Sequence, residues 1–94
     1  MKVIKVKLSE LSDDPRKYKL IQTSVMSRIF GKEEYTLFES YQTNLLYIIQ
    51  ELANILHANG IKCEITSFTE PERGQNIYNL WVRTRHPTAV EYIP

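Results

Sequence analysis

Ile61-Lys62-Cys63-Glu64-Ile65-Thr66-Ser67-Phe68 and, beyond a turn-rich Thr69–Asn76, Ile77-Tyr78-Asn79-Leu80-Trp81-Val82-Arg83-Thr84-Arg85 read as the two arms of a β-hairpin. Apolar residues fall at every second position in both arms, which is the period of a half-buried strand. Pairing the arms puts Ile61, Cys63 and Ile65 on the same face as Tyr78, Leu80 and Val82. The segment Glu70-Pro71-Glu72-Arg73-Gly74 supplies the turn residues between them. The opposite face collects Lys62, Glu64, Phe68, Ile77, Trp81, Arg83 and Arg85. A face that carries the only tryptophan of the chain is expected to touch something other than water.

Working outward, Lys2–Leu8 reads as a strand with Ile4, Val6 and Leu8 on one side and Lys5 and Lys7 on the other. Ser12-Asp13-Asp14-Pro15 is a turn or a helix start, with proline suited to a first helical turn. Apolar residues at Ile21, Val25 and Ile29 favour a helix over Lys19–Phe30, stopped by Gly31, while the β-branched run Ile21-Gln-Thr-Ser-Val25 leaves an extended start open. A longer helix is expected from Thr36 to Ala58. Thr36-Leu37-Phe38-Glu39 matches a capping box there, and Phe38, Tyr41, Leu45, Ile48, Ile49, Leu52, Ile55 and Leu56 form a stripe at helical spacing. Asn59-Gly60 ends it. After His86-Pro87, Ala89–Ile93 has the length of a short edge strand or an ordered tail.

The expected fold is a single α+β domain over residues 1–94. It is a small two-layer sandwich in the order β-α-α-β-β, with two helices on one face of a three-stranded sheet and room for a short C-terminal strand. If the first strand joins that sheet, the exposed face carries Lys5, Lys7, Lys62, Arg83 and Arg85 around Trp81, Phe68 and Ile77. Arg73 stands at the hairpin tip.

Composition bounds the function. At 43% hydrophobic and 24% charged, the chain is ordinary for a globular protein. A domain of 94 residues buries roughly 60–65% of its unfolded surface, so a further interface would add stability. The net charge of +1 gives no bulk attraction for polyanions. One cysteine allows no internal disulfide, the N-terminus lacks a signal-peptide core, and no apolar run is long enough for a bilayer. The expected location is therefore intracellular: cytoplasmic, or host cytoplasm for a virus-encoded chain. No membrane association is expected.

Catalytic constellations are sparse. Cys63 falls on the inward face, where a thiol is usually inert. His57, His86 and Cys63 lack the clustered spacing of a zinc site, and Asp13-Asp14 has no further carboxylates at ligand offsets. There is no nucleophile elbow, Walker loop or dinucleotide fingerprint, and the three glycines all have turn or cap positions. The expectation is a non-enzymatic interaction or regulatory module without a cofactor. It self-associates as a homodimer and binds a protein through the face around Trp81. A regulatory, inhibitory or accessory protein of the kind encoded by viruses or mobile elements would suit such a chain. The alternative is a nucleic-acid-binding domain using the same face, with Trp81 stacking on bases while Lys5, Lys7, Lys62, Arg83 and Arg85 meet phosphates.

Overall fold

The computed structural model describes residues 1–94. Its order is β1 (Lys2–Lys7), two single-turn 3-10 helices (Leu8–Glu10 and Pro15–Tyr18), β2 (Ser27–Phe30), β3 (Glu33–Gln42), α1 (Leu46–Ala58), β4 (Cys63–Thr69), β5 (Asn76–Arg83) and β6 (Thr88–Ile93). β2, β3, β5 and β4 form a four-stranded antiparallel sheet in that spatial order, and β1 pairs in parallel with β6 in a separate two-stranded sheet. The architecture is a curled antiparallel half-barrel around one helix. The expected β-α-α-β-β sandwich, with two helices on one sheet face, is therefore overturned.

The hairpin Ile61–Arg85 is as its alternation predicts. Ile65 pairs with Leu80 and Cys63 with Val82, while Phe68 pairs with Ile77 on the other face. Ile61, Cys63, Tyr78, Leu80 and Val82 are buried in the core with Ile4 and Val6 of β1, Tyr41 of β3, and Ile48, Ile49, Leu52, Ala53 and Leu56 of α1. The helix ends where Asn59-Gly60 requires, Gly60 having φ +78°.

Two predicted elements differ. The helix expected over Thr36–Ala58 begins only at Leu46, because 33–42 is a strand. The cause is a β-bulge. β3 pairs Leu37 with Trp81 and then Glu39 with Leu80, leaving Phe38 as the extra residue. One inserted residue breaks the strict alternation, so Phe38, Tyr41 and Leu45 imitate a helical stripe. Tyr35, Thr36, Phe38 and Tyr41 are strand-formers, and they decide the local state. The helix starts at Leu46 with Leu45 as an N-cap that makes no side-chain cap bond, and Thr43 Oγ1 accepts the Leu45 N–H at 3.0 Å in the turn before it.

The helix expected over Lys19–Phe30 is also absent. Leu20 donates its N–H to the Ser40 carbonyl at 2.8 Å, and the Met26 carbonyl accepts the Leu37 N–H at 2.8 Å. The segment between these anchors rides along the edge of β3 before becoming β2. Gly31, at φ +64°, and Lys32 form a two-residue turn into β3. A positive φ at the first turn position alone is the type II′ pattern, which favours glycine there.

β1 pairs with β6 and not with the hairpin, so the sheet is not extended by the N-terminal strand. The C-terminal edge strand does form, from Thr88 to Ile93. No helix is long and apolar enough to cross a membrane.

Candidate interaction surface

The outer face of the four-stranded sheet is built around Trp81, which is only 4% exposed. Its own chain covers it. The Phe30 ring stands edge-on at 6.1 Å from the Trp81 ring, and Tyr35 packs edge-on to Phe30 at 5.1 Å. These contacts exist because Gly31 turns β2 back along β3. The indole N–H donates to Thr66 Oγ1 at 2.8 Å, so the one polar atom of the ring is satisfied. Beside it Arg83 is buried and ion-paired with Glu33. Arg28 lies over the Phe30 ring, with its guanidinium carbon 5.2 Å from the centroid.

The expected site residues therefore separate into groups. Trp81 and Arg83 share the face but are buried within it. Phe68, 54% exposed, and the partly exposed Ile77 sit on the same face, opposite each other across β4 and β5. Lys62 and Arg85 are exposed just beyond the ends of β4 and β5, and Arg73 is exposed in the hairpin turn. Lys5 and Lys7 are exposed on the two-stranded sheet, away from this face, Lys5 being paired in register with Glu91.

On one side of Trp81 lie polar groups, its cross-strand neighbour Glu64 among them, and on the other its partner Leu37 borders a partly apolar groove that also has Gln22, Ser40 and Asn79 in its walls. Ile21 (94% exposed), Met26 (52%) and Phe68, with the less exposed Leu37 and Ile77, line this shallow groove of about 270 Å³. Val25 is also largely exposed next to it. The helical spacing of Ile21, Val25 and Ile29 gives no sign that all three are surface residues, as the structure places them. The signal that could have found them is Gly31-Lys32 between two β-rich runs, which is hairpin chemistry.

Cys63 and the Asp13–Asp14 pair both make contacts within the chain. Cys63 Sγ lies 3.3 Å from His57 Nε2 and 3.6 Å from the Ala53 carbonyl, against the last turns of α1. Burial pushes its thiol up to about 11, helped by the nearby Glu64 carboxylate, so the thiolate is scarce at neutral pH. Asp13 accepts from Tyr18 and Lys17 side chains and the Asp14 N–H, and these bonds hold its carboxyl down to about 2. Asp14 caps the second 3-10 turn through the Arg16 N–H. No three His, Cys, Asp or Glu side chains are grouped to hold a metal ion.

The chain matches no protein-family model, no curated protein and no solved structure.

Proposed function

We propose that this chain is a non-enzymatic interaction module that self-associates and engages a protein partner through the apolar rim beside Trp81. The observation that carries the reading is the contrast on one sheet face. An internally satisfied aromatic centre stands on the same sheet as a groove lined by Ile21, Met26 and Phe68, each at least half exposed. Clustered apolar side chains on a folded surface mark interaction sites more often than scattered ones do. Leu37, which lines the groove, is paired with Trp81, so the packed Tyr35–Phe30–Trp81 stack adjoins one wall of it.

The reading is tested with Ile21→Asp and Phe68→Asp. A protein captured by the wild-type chain and lost by both variants, with folding intact by circular dichroism, supports it. Capture that survives both substitutions counts against the rim. So does saturable, salt-sensitive binding of labelled oligonucleotides, because counterion release gives that signature to a nucleic-acid site.

A further inference from the structure

The two sheets leave β1, β2, β4 and β6 unpaired on one side. An unpaired strand edge is a template for another strand unless something guards it. β1 is guarded by exposed Lys2, Lys5 and Lys7, and β4 has exposed Lys62 and Glu64 at its start. The β6 edge carries exposed Glu91 and lies beside the groove that Phe38 and Val90 line together. β2 differs. It follows exposed Val25 and Met26, it carries Ile29 at 60% exposure, and its one charge, Arg28, is folded over the Phe30 ring.

The hairpin turn determines which backbone groups of β2 are free. Phe30 and Glu33 close a two-residue turn and form a hydrogen-bonded pair, so Arg28 and Tyr35 are the next such pair. The N–H and C=O of Phe30 and Arg28 therefore point to β3. Those of Ser27 and Ile29 point away from the sheet.

We infer that two copies of this chain join by antiparallel pairing of β2 with β2 of a second copy, about a two-fold axis through Ile29. This rests on the self-association in the proposed function and names the surface that performs it. Residues directly opposite across an antiparallel pair share a face, and an axis through a hydrogen-bonded pair needs a residue whose own N–H and C=O are free. Ile29 qualifies: each copy donates its Ile29 N–H to the Ile29 carbonyl of the other. The same register sets Arg28 opposite Phe30 of the second copy, on the outer face, where its guanidinium gains a second ring. Centring the axis on Arg28 instead, as a non-hydrogen-bonded pair flanked by Ile29–Ser27 bonds, would set two guanidinium groups directly opposite each other. The pairing is isologous, as a closed dimer requires, and it merges the two four-stranded sheets into one. The rim at Ile21 and Phe68 stays open for a different protein.

Sedimentation of the intact chain tests the inference. The wild-type protein is expected to dimerise with rising concentration. Ile29→Pro removes the outward N–H without touching a bond to β3, and Ile29→Lys sets like charges across the axis. Each should weaken dimerisation at least tenfold with an unchanged melting curve, and the lysine variant stands alone if the proline variant does not fold. Hydrogen exchange gives a second reading: the Ile29 amide should slow as concentration rises, whereas the Arg28 and Phe30 amides should not respond. A dimer as tight in both variants as in wild type overturns the edge pairing and leaves self-association standing. A wild-type chain that remains monomeric at millimolar concentration overturns both.

Discussion

Trp81 illustrates how one residue can be decisive for a face without being its contact point. Its indole is closed off by Phe30 and its N–H is committed to Thr66. Trp81→Ala removes the largest side chain from that stack and leaves a cavity the curled sheet cannot collapse. The expected cost is about 3–5 kcal/mol, measured by urea unfolding. Phe68→Asp, on the exposed rim, should cost far less. Equal losses from the two substitutions would mean that the centre and the rim are not distinct. Arg83 carries the same lesson: its charge is matched within the chain by Glu33, so it is not held ready for an outside anion.

At the scale of elements, the hairpin Ile61–Arg85 was legible because nothing interrupts its alternation. β3 was not, because the extra residue Phe38 shifts the phase halfway along the strand and the apolar positions then fall at helical intervals. Period analysis assumes an uninterrupted period, and a bulge violates that assumption. The segment before it failed for a different reason. Ile21, Val25 and Ile29 have helical spacing, but none of them is buried, so the spacing has no packing behind it. The site was legible to the same extent as its elements. Phe68, Ile77 and Trp81 were correctly assigned to one face, and Lys5 and Lys7 were misplaced with the strand that carries them. Gly31 is the residue on which the β2–β3 turn depends, since its φ of +64° is strained for any side chain. Gly31→Val should destabilise the turn by about 1–2 kcal/mol. Because that turn carries Phe30 over Trp81, the variant should also red-shift tryptophan emission, and an unchanged spectrum would show that the lid is held by other contacts.

For the whole molecule, the core sets a pH limit. Cys63, Tyr41 and Tyr92 are all pushed above their usual values, chiefly by burial. A raised value means the folded state holds its proton more tightly than the unfolded chain. Stability from these groups is therefore fully present below their ordinary values and declines as pH rises past them. For Cys63 the window runs from 9.0 to about 11. The urea midpoint should be flat near neutrality and fall through that window, and Cys63→Ala should lessen the early part of the fall. A midpoint that stays level to pH 11 would mean that these groups are not as enclosed as their surroundings imply.

The pairing of β1 with β6 also gives the molecule a mechanical character. The strands run parallel, from Lys2 against Thr88 to Lys7 against Ile93. Tension applied through Met1 and Pro94 therefore pulls the two strands past each other lengthwise. Every bond of that ladder is loaded at once and none can open ahead of its neighbours, unlike a hairpin pulled from its open end. The short sheet acts as a clasp, and the chain should resist stretching between its ends far better than its size and its modest core would lead one to expect.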